Sequence, residues 1–268
     1  MLNNPSLWLP AFFRPQADTH KYDRGCAVIF GGEAMTGAAR LAACACARVG
    51  AGVTIVVAPT KEAGMIYRSA LPGHIIVEDL KRVEDHLADP RRKAALIGPG
   101  GGDVKKRVLA ILKDKTPCVL DADALTVFEG DAQTLLDHLH PSCVLTPHEG
   151  EFKRLFPTIH STMTGKAEAA AAKAGCTVLV KGHDSAIACG GEETLTHEDL
   201  PAPYLATAGS GDVLAGMIAG LMAQGMSPYL AAAAAVYMHR MAGRMFGPGL
   251  VASDLPDMIP YVFKELGV

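Results

Sequence analysis

The stretch "CAVIFGGEAMTGAARLAACACARV", residues 26–49, changes character twice. Five apolar residues (26–30) read as a buried strand. Gly31 and Gly32 then break the run. From about residue 37 to 49 the chain is rich in alanine, with helical spacing. Strand, glycine turn and helix form the opening of a βαβ unit. The same pattern recurs along the chain. "VTIVVAP" (53–59), "IIVE" (75–78), "AALIG" (94–98), "CVLDA" (118–122), "CVLTP" (143–147) and "CTVLVKG" (176–182) are further strand candidates. Helical patterns cover 104–113, 132–139, 150–156 and 164–174. Residues 185–197 read instead as a hairpin around Gly190 and Gly191. The chain closes with helices at 211–224, at 228–246 and from about residue 254. Short apolar runs alternating with helices predict an α/β fold, a mostly parallel central sheet with helices on both faces.

Bulk properties agree. The chain has 268 residues, 49% of them hydrophobic, which is enough for one large core. Residues 1–22 read as an extended lead-in, and 23–268 as a single domain. A net charge of −3 argues against a nucleic-acid surface. Residues 213–238 carry no charge and match a bilayer in length. However, "QGMSP" (224–228) reads as a helix stop followed by a new start, so two buried helices are expected rather than a membrane span. The seven cysteines are odd in number and lack C-x-x-C pairs. They read as reduced, mostly buried apolar residues in a cytoplasmic protein, not as a zinc motif. The first residues lack the charge and apolar core of a signal peptide.

In open α/β sheets, ligands gather at the carboxyl ends of the strands. Chemistry-bearing residues cluster there in this chain. "GGEAMTGAAR" has P-loop glycine spacing from Gly32 to Gly37. Ala38 and Ala39 stand where Lys and Ser/Thr would be needed, so it is not a Walker A loop. It fits a tight turn, or a close backbone approach to a ligand with the small Ala38 leaving room. "IGPGGG" (97–102) offers backbone N–H groups without side chains in the way. Asp121 and Asp123 could hold Mg²⁺ directly or through water, and Asp123 could equally cap a helix. In "TPHEGEF" (146–152), Thr146 is a plausible N-cap and Pro147 a first helical residue. His148, Glu149 and Glu151 would then point from the first turn toward the strand ends. Lys181 and Gly182 end a strand, where a lysine suits a phosphate or a surface ion pair. "TAGSGD" (207–212) could form an anion hole from the N–H groups of about residues 209–212, or a cap made by Ser210 or Asp212.

Taken together, these motifs resemble the ribokinase-like superfamily, whose mark is a late Gly-x-Gly-Asp at a helix N-terminus. The longer stretches "GGEAMTGAARLA", "LDADALT", "LTPHEGEF", "VLVKGHDS" and "LATAGSGDVLAGMIAGLMAQG" resemble the ADP/ATP-dependent NAD(P)H-hydrate dehydratases. The resemblance covers about residues 20–250. It implies a three-layer α/β/α ribokinase-like fold and a role in repairing hydrated nicotinamide cofactors. In that reaction ADP phosphorylates the C6 hydroxyl of the hydrate, and loss of phosphate restores the double bond. By resemblance, Asp212 is the base. Ala38, Gly102, His148 and Asp212 contact the hydrate. Lys181, Gly182, His183, Asp184 and Ser185, with Gly209, Ser210 and Gly211, hold the nucleotide. Mg²⁺ would be held by Asp121 and Glu151.

The chain departs from the family pattern at Gly101, Glu149 and Ser185, each without loss of an essential group. The resemblance also implies a homo-oligomer, a tetramer in related bacterial enzymes. "NNPSLWLP" (3–10) resembles the segment that joins an epimerase domain to this one in fused proteins. The chain is therefore expected to be a C-terminal half, excised or naturally separate. A ribokinase-like kinase of a small alcohol and a silent nucleotide-binding module are the competing readings.

Overall fold

The computed structural model describes residues 1–197, 200 and 202–268. Among these, nine strands form one sheet. They are β1 Cys26–Phe30, β2 Val53–Ala58, β3 Ile76–Asp79, β4 Arg92–Ile97, β5 Cys118–Leu120, β6 Cys143–Leu145, β7 Thr177–Val180, β8 Ala186–Ala188 and β9 Leu195–Thr196. The helices are α1 Thr36–Arg48, α2 Lys61–Ala70, α3 Val83–Leu87, α4 Lys105–Asp114, α5 Asp123–Thr126, α6 Ala132–Leu136, α7 Glu149–Leu155, α8 Met163–Ala174, α9 Ser210–Ala223, α10 Pro228–Phe246 and α11 Leu255–Leu266. The sheet order is β3-β2-β1-β4-β5-β6-β7-β8-β9. Strands β1 to β7 pair in parallel, and β8 and β9 add the antiparallel hairpin read from the sequence.

Side chains alternate between two cores, as a pleated strand requires. In β5, Val119 joins the core under α1, α9, α10 and α11, while Cys118 and Leu120 join the opposite core under α4 and α8. The result is a three-layer α/β/α domain. The expected strands appear within two residues of their sequence boundaries. Helices α2 and α3 were not expected, and α5 was read only as the helix that Asp123 could cap. α3 and α5 are only five and four residues long, too short to show a period. α2 is amphipathic but exposes Met65 and Ile66, which blurs its apolar stripe.

Two close approaches place the site. A Cβ on Gly216 would lie 2.1 Å from the Ala42 carbonyl oxygen, and one on Gly220 would lie 2.7 Å from that of Cys46. The backbones of α9 and α1 therefore touch, and α9 is buried nearly all round. The strand order reverses between β1 and β4, the point where open sheets bind ligands. A Cβ on Gly32, after β1, would fall 1.4 Å from the Gly100 oxygen after β4. These two loops meet only as glycines.

The lead-in is fastened down. Two short 3₁₀ turns, Pro5–Leu7 and Leu9–Ala11, bring the sole Trp8 into the core, fully buried. Leu2 bridges Thr196 of β9, and the Asn3 amide donates to the Ala233 carbonyl at 2.7 Å. No helix among the described residues is long and apolar enough to cross a membrane. Residues 213–238 are α9 and α10, broken at residues 224–227 as the sequence suggested.

Candidate active site

Four elements converge at the carboxyl ends of the central strands. Asp121 leaves β5 fully buried. Lys181 leaves β7 and donates to Asp121 Oδ1 at 2.6 Å. The Thr146 hydroxyl, just past β6, donates to the same oxygen at 2.8 Å. The fourth element is the start of α9. A Cβ on Gly211 would stand 3.4 Å from Lys181 Nζ, so the ammonium abuts the helix N-terminus.

The α9 start has no side-chain cap. Its N-cap residue is Gly209, in the left-handed region at φ 89°. Neither Ser210 nor Asp212 caps the helix, which removes the cap alternative. The Gly211 and Asp212 N–H groups have no partner among the described residues and remain available to an anion. The Ser210 hydroxyl is turned away, 3.1 Å from His239 Nε2. Burial lowers His239 to about 4, so it stays neutral.

Asp212 is the perturbed group. Burial raises its pKa to about 6, reinforced by Asp121, Asp123 and Glu151 and opposed by Lys181. Burial works against the Lys181 ammonium as well, but Asp121 and Glu151 hold it above the ordinary lysine value. Burial likewise pushes the Glu151 carboxyl up, with Lys181 opposing. A carboxylate raised toward neutrality by its surroundings is suited to accepting a proton.

The loop after β6 differs from expectation. Thr146 is not the N-cap and Pro147 is not helical, and α7 starts at Glu149 with His148 as its cap. His148 Nδ1 accepts from the Gly150 N–H at 2.9 Å, and Glu151 Oε2 accepts from the His148 N–H at 2.8 Å. That reciprocal pair satisfies the helix start and frees the Thr146 hydroxyl for Asp121. Because Nδ1 accepts, the neutral imidazole carries its proton on Nε2. Glu149 does not face the strand ends. It is exposed and pairs with Lys166 at 3.0 Å.

A cavity of about 740 Å³ opens here, lined by His148, Lys181, Gly182, His183, Ser185 and Gly211 among others. Ser210 also borders it, whereas Asp184, Gly209, Asp212, Asp121, Glu151, Ala38 and Gly102 do not. Ala38 lies in the first turn of α1, beside the loop pair joined at Gly32 and Gly100. The Gly102 N–H donates to Asp123 Oδ2 at 2.9 Å, so Asp123 braces the glycine loop rather than capping α5. Between the two carboxylates, Ala122 sits at φ 49°, a strained conformation for a residue with a Cβ.

Four further residues border the site and escaped sequence reasoning. Arg240 Nη1 donates to the His183 carbonyl at 3.0 Å, and Arg240 Nε donates to that of Leu200 at 2.6 Å. His239 sits beside it. Arg107 reaches the Gly31 and Gly101 carbonyls, and the Tyr67 hydroxyl donates to that of Gly32 at 2.7 Å. A histidine and an arginine adjacent in the alanine-rich α10 were the one available signal.

Comparisons with known proteins follow this geometry. A family model described as NAD(P)H-hydrate dehydratase matches residues 26–259. The ADP-dependent (S)-NAD(P)H-hydrate dehydratase of Neisseria meningitidis serogroup B is 36% identical over 93% of this chain and 89% of its own length. The bifunctional NAD(P)H-hydrate repair enzyme of Salinibacter ruber is also 36% identical, over 96% of this chain but only 51% of its own. The chain thus spans about half the length of such bifunctional relatives. The crystal structure of the ADP/ATP-dependent NAD(P)H-hydrate dehydratase from Bacillus subtilis, co-crystallised with ATP/Mg²⁺, superposes with a TM-score of 0.78 at 25% identity, covering 94% of both chains. With the ribokinase-like fold and most of its length matched, the chain belongs to the NAD(P)H-hydrate dehydratase family.

Proposed function

We propose that this chain converts (S)-NAD(P)H hydrate to NAD(P)H at the expense of ADP, releasing AMP and phosphate. One observation carries the reading: a half-buried Asp212, raised to about 6, at an uncapped helix start against the Lys181–Asp121 pair. The C6 hydroxyl of the hydrate is a poor leaving group until it is phosphorylated. Asp212 takes its proton as the hydroxyl oxygen bonds to the β-phosphorus of ADP and the bond to AMP breaks. The Gly211 and Asp212 N–H groups and Lys181 stabilise charge on the transferring phosphoryl. Departure of phosphate, pushed by the ring nitrogen, with loss of a ring proton, then restores the double bond.

In this reading Ala38, Gly102, His148 and Asp212 contact the hydrate. The stretch from Lys181 to Ser185, with Gly209, Ser210 and Gly211, holds the nucleotide. Arg240, tied to the His183 carbonyl, positions that stretch. Mg²⁺ fits the donor set of Asp121 and Glu151, hard carboxylate oxygens beside a phosphate site. Asp121 Oδ2 takes part in neither the Lys181 nor the Thr146 bond. When bound, Mg²⁺ supplies charge neutralisation for the phosphates.

The test is to incubate the protein with NADH hydrate, Mg²⁺ and either ADP or ATP, and to follow NADH absorbance. Recovery with ADP supports the reading. No recovery with either nucleotide overturns it, and ATP consumption on another alcohol would instead identify a kinase.

A further inference from the structure

A second cluster lies at the other end of the strands, in the core under α4 and α8. Cys118 opens β5 and Cys143 opens β6, and the parallel register sets them side by side. Their sulfurs are 3.7 Å apart, with the Cys118 thiol directed at Cys143 Sγ. His140 lies three residues before Cys143. One of its ring nitrogens and both sulfurs all lie within 4.8 Å of one another, and all three residues are buried. His140 Nε2 is buried and has no hydrogen-bond partner among the described residues. A buried ring nitrogen left unpaired is costly and calls for an occupant. Residue 176 supplies a further donor. Val144 pairs with Thr177, so Cys176 comes abreast of Cys143 on the next strand. Cys118, Cys143 and Cys176 all face the same core.

We propose that Cys118, His140 and Cys143 form a structural Zn²⁺ site, with Cys176 as the fourth ligand. The donor set is Cys₃His, a recurrent closed set for this ion. The spacing agrees: two thiolates on one tetrahedral Zn²⁺, each at about 2.3 Å, stand about 3.8 Å apart. Neighbouring strands lie about 4.8 Å apart, so rotation about one side-chain bond swings Cys176 Sγ toward the cluster. That thiol makes a long contact, 3.8 Å, to the Thr177 carbonyl. Binding replaces the three thiol protons, which pass to solvent. The ion clamps β5, β6 and the start of β7 at their amino ends. The site is independent of the dehydratase proposal, because Asp121 and Lys181 leave the same strands at the opposite end.

Co²⁺ titration of the chelator-stripped, reduced full chain tests the site, followed by displacement with Zn²⁺. The expected result is one Co²⁺ per chain with thiolate charge-transfer bands and intense tetrahedral visible bands, bleached by Zn²⁺, and a higher melting temperature with Zn²⁺. Cys118→Val and Cys143→Val keep the volume and suit a strand. Each should lower the charge-transfer intensity by at least a third while keeping the native circular dichroism. His140→Gln should weaken Co²⁺ binding at least tenfold, and Cys176→Val should shift the visible bands away from a four-ligand thiolate pattern. Two findings overturn the proposal: no charge-transfer band in the wild type, or an unchanged band in the Cys118→Val/Cys143→Val double variant. If mild oxidation joins Cys118 to Cys143 and Co²⁺ never binds, the pair is only two adjacent buried thiols.

Discussion

Replacing Asp212 with asparagine separates the cost of the carboxylate from its use. Burial and the charges around it raise the pKa from 3.8 to about 6. At about 1.4 kcal/mol per tenfold change, the ionised group destabilises the native state by about 3 kcal/mol. The native state binds this proton more tightly than the unfolded chain does. The penalty is therefore absent below pH 3.8, grows from there to about 6, and is complete above it. Asparagine keeps the shape and removes the charge. Near pH 8 the variant should gain about 1–3 kcal/mol, allowing for partial solvent screening, which is several degrees of melting temperature. Near pH 4 the gain should shrink to about 0.5 kcal/mol or less. The same change should slow turnover about 10²–10⁴-fold, the worth of a general base. Calorimetric melts at both pH values, run beside the NADH-recovery assay, measure all three quantities. A variant that melts no higher than wild type near pH 8, or gains equally near pH 4, refutes the buried-charge account.

Four other outcomes follow from the same geometry. The wild-type rate should rise with pH through about 6 with unit slope, as Asp212 loses its proton, and a flat pH–rate profile would exclude it as the base. Lys181→Met leaves the fully buried Asp121 carboxylate with Thr146 as its one side-chain partner among the described residues, and should cost about 3–5 kcal/mol in urea unfolding. Gly216→Ala drives a methyl to 2.1 Å from the Ala42 oxygen and should cost about 1–3 kcal/mol or more, whereas Gly37→Ala, with nothing within 4 Å, should be neutral or slightly stabilising. Ala122→Gly should relieve about 1 kcal/mol of backbone strain, read as a higher urea midpoint.

The fold was legible because strands and helices differ in period. The runs at 26–30, 53–58 and 177–180 are almost wholly apolar, with Thr54 and Thr177 the exceptions, and buried on both faces, as a strand between two helix layers requires. The glycines after β1 and β4 stood out as a pair of loops, but their mutual contact at Gly32 and Gly100 did not, since the residues are 68 apart. Asp121, Lys181 and Asp212 were recognisable as strand-end and helix-start residues, whereas their electrostatic coupling needs three-dimensional proximity. The cap on α7 was misread because a histidine displaced the expected threonine, a choice that propensity alone ranks lower. The grouping of Cys118, Cys143 and Cys176 was hidden for a similar reason. Their spacing along the chain matches no metal motif, and only strand register brings them together.

The fastening of residues 1–12 bears on how the molecule avoids sticking to itself. A sheet ends in two strands with unpaired backbone groups, each a template for another chain. On one side β3 guards itself with Glu78 and Asp79, engaged by Arg92 and Arg68. On the other, β9 is only two residues long, and the lead-in covers it: the Asn3 N–H donates to the Thr196 carbonyl at 2.9 Å, and the Thr196 N–H donates to that of Met1 at 3.0 Å. The opening residues thus sit as a stopper on that edge, and trimming them would leave the Thr196 N–H and carbonyl open to another strand.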